Sequence, residues 1–420
     1  MRWNRWLPAG LAVLVAALAP GAGATKDDGF VEPVKVLYEL AGDTPGANFG
    51  WAVSELGDVD RDRRMDLIVG APFSSTGSTF VYSGRGGDLL YRLDGAAGDQ
   101  HGYAIADAGD TSGDGVPDIV SGAPGVGAGH AYLYSGRTGR LLHTFTGVGS
   151  GDFFGSAVAG AGDVDRDGRA DVFVGAELAD AGGTDSGQAY VFSGRTYELL
   201  LTVDAGDGGD HFGSATDWTE DMNRDWVPDL VVGARDAGPG ARGRAYVFSG
   251  RNGRLLHQIE PPVSGGDVGY FFVAGVGDVN DDGRPDVYAA DFSDSSLGPA
   301  TGRAAVYSGK NGRELLSWTG SAAGEGLGPG REAGDVNRDG HVDLAIGSWI
   351  SNDGAPTAGQ MEIYSGKDGS LLRRITSTTA GENFGFDAVG LGDLNRDRIP
   401  DLVVSAATGE TVYVIAGRKR

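Results

Sequence analysis

The stretch that decides the fold is FFGSAVAGAGDVDRDGRADVFVGAE, residues 153–177, followed by GQAYVFSGRTYELLLTV, residues 187–203. Its acidic core, DVDRDGRAD, begins at Asp163. Windows of the same kind begin at Asp58 (DVDRDRRMD), Asp110 (DTSGDGVPD), Asp221 (DMNRDWVPD), Asp278 (DVNDDGRPD), Asp335 (DVNRDGHVD) and Asp393 (DLNRDRIPD). They follow one another at steps of 52, 53, 58, 57, 57 and 58 residues. The chain is one unit copied seven times, and a period of this size means a solenoid, a propeller or an array.

Each unit reads as four short strands. Apolar alternation before the acidic window gives the first, as at Ser156, Ala157, Val158 and Ala159, and the run after it gives the second, as at Leu67, Ile68 and Val69. A Gly-rich connection leads to a third, Ala-Tyr-Val-Phe at Ala189 and again at Ala245. A Ser-Gly-Arg/Lys turn and a fourth strand follow, and helical periodicity is absent throughout. Four strands per repeat in tandem is a β-propeller blade. The ends of the chain fix the number. The seventh unit stops after its third strand, Thr411 to Ile415, whereas a fourth-strand pattern, Val36-Leu37-Tyr38-Glu39-Leu40, precedes the first unit. The expected fold is all-β, a seven-bladed propeller of four-stranded antiparallel blades over residues 34–417, closed by the N-terminal strand so that no blade edge is left open.

Composition agrees. Gly is 75 of 420 residues, far above the usual ~7%, so turns are abundant, while 40% hydrophobic content suffices for a core. A net charge of −24 argues against nucleic acid and anionic membranes as partners. With no cysteine, disulfides, thiol catalysis and thiolate metal sites are excluded. Residues 1–24 read as a cleaved signal peptide: Arg2 and Arg5, an apolar run over 7–19, then Ala22-Gly23-Ala24. The mature protein is therefore expected to be secreted or periplasmic, without a membrane span, and monomeric. Residues 25–33 are expected to be a flexible lead, and 418–420 a basic tail.

These units resemble the FG-GAP repeats of integrin α-subunit heads and of many secreted bacterial proteins. Phe-Gly stands at Phe49-Gly50, Phe154-Gly155, Phe212-Gly213 and Phe384-Gly385, nine residues before each acidic window. Gly-Ala-Pro stands at Gly70-Ala71-Pro72 and Gly122-Ala123-Pro124 and decays in later units. At the same offset, units five and six carry Gly269-Tyr270 and Gly326-Leu327 in place of Phe-Gly. The resemblance implies a ligand-binding propeller whose ligands meet the face opposite the acidic loops.

The acidic windows suit calcium, a hard cation that takes six to eight oxygens. Position one is Asp58, Asp110, Asp163, Asp221, Asp278, Asp335 or Asp393. Position three is Asp60, Ser112, Asp165, Asn223, Asn280, Asn337 or Asn395, and position five is Asp62, Asp114, Asp167, Asp225, Asp282, Asp339 or Asp397. Position seven offers a backbone carbonyl, from Arg64, Val116, Arg169, Val227, Arg284, His341 or Ile399. Position nine closes the shell with Asp66, Asp118, Asp171, Asp229, Asp286, Asp343 or Asp401. Position six favours Gly for a sharp turn, and Arg63, Trp226 and Arg398 depart from it. An EF-hand is excluded, because position twelve is Val69, Ser121, Val174, Val232, Ala289, Ile346 or Val404, inside a strand, rather than Glu. Up to seven calcium ions are expected, one per blade, in a structural role that offsets the crowded carboxylates.

No catalytic motif stands out: there is no H-E-x-x-H, G-x-S-x-G or P-loop. The favoured function is a binding module for an extracellular protein or polysaccharide, without catalytic or cofactor residues beyond the metal loops. The alternative is a propeller-based polysaccharide lyase or hydrolase, with paired carboxylates from different blades. Antiparallel pairing puts the acidic loops on one face and the longer, varied connections on the other. Trp349 lies in one of those connections and is expected to fold back onto its own blade.

Overall fold

The computed structural model of the protein describes residues 29–260 and 267–417. The signal expected over residues 1–24 and the tail at 418–420 lie outside the described residues. Among the described residues there are 28 strands and no helix. They form seven four-stranded antiparallel sheets. The innermost strands, in blade order, are Ala52–Leu56, Ile105–Gly109, Phe154–Gly162, Phe212–Thr219, Val273–Gly275, Leu327–Gly334 and Phe384–Gly390. Six sheets are built from consecutive strands. The seventh takes its outer strand from the start of the chain: Val36–Ala41 pairs with Thr411–Ile415 in the register Leu40 to Val412 and Glu39 to Tyr413. The ring closes as its two ends require.

Every second residue of a strand faces a neighbouring blade, and the core follows from that. Each hydrophobic cluster straddles two adjacent blades rather than filling one. Leu67 and Phe80 of blade one meet Val403 and Val412 of blade seven. That contact makes the join between the first and last blades equivalent to every other.

The two glycines of the repeat have a packing reason. Gly122, in the second strand of blade two, lies against the carbonyl of Gly155 in blade three, where a Cβ would overlap it. Gly155 itself has φ +87°, a conformation that side chains rarely adopt. The pair lets adjacent blades approach at the axis. Blades five and six correct the expected correspondence. Isolated bridges pair Gly243 with Val268 and Gly302 with Leu327, as Gly129 pairs with Phe154. The equivalents of Phe-Gly are therefore Val268-Gly269 and Leu327-Gly328, one residue away from the fixed offset in each case. In blade six the irregularity between Leu327 and Gly330 absorbs the slip, being one residue smaller than its counterpart between Phe154 and Ala157.

The flexible lead expected over residues 25–33 is also corrected, from Gly29 onward. Phe30 is 8% exposed and packs edge-on against Phe384 and Tyr413, with centroids 5.2 and 5.4 Å away. The Val31 amide donates to the Thr376 carbonyl at 2.9 Å, and the Glu32 carboxylate accepts the Thr376 amide at 2.7 Å. One aromatic side chain fills the outer cleft between blades six and seven and holds the segment there.

Candidate metal centres and the face opposite them

Each acidic window is a tight loop between the first and second strands of its blade. The position-one carboxylate caps the turn: Asp163 accepts the amides of Asp167 and Gly168, both at 3.0 Å. Positions four and six are both left-handed. Arg166 and Gly168 have φ +63° and +88°, and Arg224 and Trp226 have +65° and +67°. Arg63 and Arg398 adopt the position-six conformation at +70° and +69°. The three loops without the expected glycine thus keep the common shape at a cost in backbone strain.

The position-nine aspartates are fully buried and do more than close a shell. Asp171 accepts the Val164 amide at 2.8 Å and the Gly194 amide at 2.9 Å. In blades one to six the corresponding aspartate holds the Gly of the turn between strands three and four, as Asp66 holds Gly84, and in blade seven Asp401 holds Gly417, just after strand three. That role was not read from the sequence, although the regular spacing of Ser-Gly from the acidic window carried the signal. Burial pushes Asp171 and Asp229 up to about 7 and Asp66 to about 6, against the lowering effect of these amides.

The structure brings carboxylate oxygens within 4.8 Å of one another in two triads, Asp58 with Asp60 and Asp66, and Asp163 with Asp165 and Asp171. The other loops carry Ser112, Asn223, Asn280, Asn337 or Asn395 at position three, beside the same aspartates. Asp62 Oδ1, Asp282 Oδ1 and Ser112 Oγ are buried in the loops without a hydrogen-bond partner. Oxygen donors left in that state, among crowded carboxylates, fit a hard divalent cation.

Arginines tie the loops together. Arg224 donates to the Gly283 carbonyl of the next loop at 3.2 Å, and Arg338 to the Asp397 carbonyl at 2.9 Å. Arg169 reaches back to the Thr111 carbonyl at 3.4 Å.

On the opposite face, aromatic rings gather at the axis, Tyr103 buried and Trp51, Phe271 and Phe386 half-buried. Trp51 contacts Phe386 at 5.2 Å, Tyr103 at 5.7 Å and Phe271 at 6.0 Å. Trp349 does not fold onto its own blade alone; it bridges Phe292 of blade five and Phe386 of blade seven, at 6.2 and 5.3 Å. Beside them Arg235 lies 4.7 Å from the Tyr270 ring and 3.1 Å from the buried Glu177. His101 is fully buried and bonded to Thr79 and Tyr134 at 3.2 and 3.0 Å, a packing role.

Fold and loops together define a closed seven-bladed propeller with an acidic loop on every blade. Parts of this propeller match FG-GAP repeats: the model described as FG-GAP repeat matches residues 49–85 and 154–192, and that described as FG-GAP-like repeat matches 278–346 and 335–404. Curated relatives include integrin alpha-4 of Xenopus laevis, 33% identical over 35% of this chain and 16% of its own length. Integrin alpha-V of Gallus gallus is 30% identical over 46% of this chain and 20% of its own length, and integrin alpha pat-2 of Caenorhabditis briggsae 30% over 45% and 18%. The matched region is thus at most a fifth of each of these relatives. Among solved structures, the Dos1 propeller superposes with a TM-score of 0.51 over 85% of this chain and 77% of its own, at 11% identity, and shares the fold. Among the described residues no helix is long and apolar enough to cross a membrane.

Proposed function

We propose that this chain is an extracellular interaction module, braced by up to seven structural calcium ions, that engages a protein or polysaccharide on the face opposite its acidic loops. The observation that carries the reading is the division of labour between the two faces. One carries seven loops of the same shape with oxygen donors directed inward. The other carries aromatic rings, half-buried beside charged groups, the composition that dominates binding energy at recognition surfaces. The ligands assigned to calcium are the side chains at positions one, three, five and nine and the carbonyl at position seven. The integrin relatives support an extracellular setting, and the basic-then-apolar start of the sequence supports export.

A glycan and matrix-protein array probed with the mature protein in millimolar calcium tests this. Saturable binding that is lost in Trp349→Ala, with an unchanged melting temperature, is the expected result. Turnover of a polysaccharide would instead favour the lyase or hydrolase reading, and binding that survives both Trp349→Ala and Phe386→Ala would remove the aromatic face from it.

A further inference from the structure

A channel runs along the ring axis and encloses about 700 Å³. It is shut at the aromatic face, where Trp51 of blade one meets Phe271 of blade five across the axis at 6.0 Å. At its other end, on the side of the acidic loops, stand Trp218, 40% exposed, and Glu220. Between the two ends the wall carries Glu55, Asp107, Asp217 and Glu332, contributed by four different blades. Arg331 is the one cation among the described lining residues, and Asp387 engages it at 2.7 Å. Glu55 and Asp217 share the charge of that one guanidinium, so the wall holds more carboxylates than cations.

Unpartnered groups mark the same wall. Glu55 Oε2 has no hydrogen-bond partner. Neither do Ser156 Oγ and Thr219 Oγ1, on side chains that are each only 3% exposed and belong to the channel lining. Burial, with the charges of Glu55, Asp217 and Glu220, pushes Glu332 up to about 7, so these acids repel one another. Among the described residues the carboxylate triads within 4.8 Å are those of the two loops, so the wall acids do not converge on a bare metal ion. Spread over blades one, four and six, with an indole at the open mouth, they suit an extended cation with several charges and an alkyl body.

We propose that the axial channel binds a linear organic polycation of the polyamine class, which enters past Trp218 and sets its ammonium groups against Glu55, Asp217 and Glu332. Spermidine titrated calorimetrically into the full-length protein, in millimolar calcium and at low salt, tests this. Saturable binding of one molecule per chain is expected. Glu55→Gln with Glu332→Gln should weaken it about tenfold or more, whereas Glu39→Gln with Glu198→Gln, which removes two exposed carboxylates elsewhere, should change it less than twofold. Trp218→Ala should weaken it severalfold, which keeps the test open if the wall variant does not fold. Equal losses in the two double variants would reduce the effect to attraction by an acidic surface and overturn the proposal. So would a calcium stoichiometry that falls by one in the wall variant, since the channel would then hold an inorganic ion.

Discussion

Arg331 of blade six and Asp387 of blade seven form an ion pair at 2.7 Å, and the same guanidinium donates to the Val53 carbonyl of blade one at 3.0 Å. Asp387 in turn accepts the Val53 amide at 3.0 Å. Three blades meet at this pair, across the join where the ring closes. The Asp387 side chain is almost fully buried, so removing its partner strands a charge, at a cost of about 3 kcal/mol. Arg331→Ala is expected to lower the melting temperature by several degrees. Arg331→Lys should recover only part of that, because an ammonium cannot serve both oxygens and the carbonyl in one plane. Thermal melts of the three proteins check this, and an Arg331→Ala melt equal to the parent's would show that the pair does not hold the join.

Closure also depends on the segment before the first blade. Phe30→Ala empties a cleft lined by Phe384 and Tyr413 and is expected to cost about 3–5 kcal/mol. Deleting residues 25–41 removes the outer strand as well and bares the Thr411–Ile415 edge, so that protein should self-associate. Light scattering and melting curves read both effects. A monomeric deletion protein with the parent's melting temperature would contradict closure by this strand.

The repeat, the blade count and the acidic windows were legible in the sequence because each recurs seven times in one register. What recurs only once was not. Phe30 sits in a short lead rich in charge, with no periodicity to mark it as core. The axial aromatics come from Trp51, Tyr103, Phe271 and Phe386, which are neighbours only after the ring has closed. Glu55, Asp217 and Glu332 lie at unremarkable positions of first strands and become a group through the seven-fold arrangement. The slips at Val268 and Leu327 are invisible to an offset counted from the acidic windows, because strand irregularities absorb single residues.

His101 occupies the Phe position of blade two, and burial lowers it to about 4. As pH falls below the ordinary value of ~6.5, the unfolded chain takes up a proton that the folded chain refuses until about 4. Its contribution is therefore fully present above pH ~6.5 and is lost between that value and 4, by about 3 kcal/mol. His101→Phe should flatten this part of the acid limb, even if the lost bonds to Thr79 and Tyr134 lower stability at neutral pH. Denaturant melts of both proteins at pH 7, 5.5 and 4.5 decide it; parallel losses would assign the limb to other groups.

Loop four holds Trp226 at φ +67° with the side chain 85% exposed. The indole contributes little packing there, while the left-handed backbone costs roughly 1–2 kcal/mol. Trp226→Gly is expected to raise stability by about 1 kcal/mol and to tighten calcium binding in that loop. In the parent, loop four, with Asn223 at position three, should fill after loop three, with Asp165. Crystals grown at limiting calcium report the order directly, and loop four filling first would reverse the ranking.

Calcium removal tests the acidic windows as a set. Extracellular calcium modules bind at about 10⁻⁴–10⁻³ M. At a free concentration of about ten times Kd, one site stabilises by about 1.4 kcal/mol. Seven independent sites would then add roughly 10 kcal/mol, comparable with the ~5–15 kcal/mol net stability of a domain. Arginine links between loops, such as Arg224 to Gly283 and Arg338 to Asp397, make the sites depend on one another, and the acidic unfolded chain also holds some ions, so the sum is an upper value. The amide bonds to Asp171 and its counterparts need no metal and keep part of each loop in shape. Even half of the sum should lower the melting temperature by more than ten degrees in EDTA. Magnesium should restore little of it, since it keeps its waters and prefers octahedral sites. Replacing Asp163, Asp165 and Asp167 together by Asn should give a fraction of the same loss. If metal-free and calcium-loaded proteins melt within a degree or two of each other, the loops stand on their amide bonds alone.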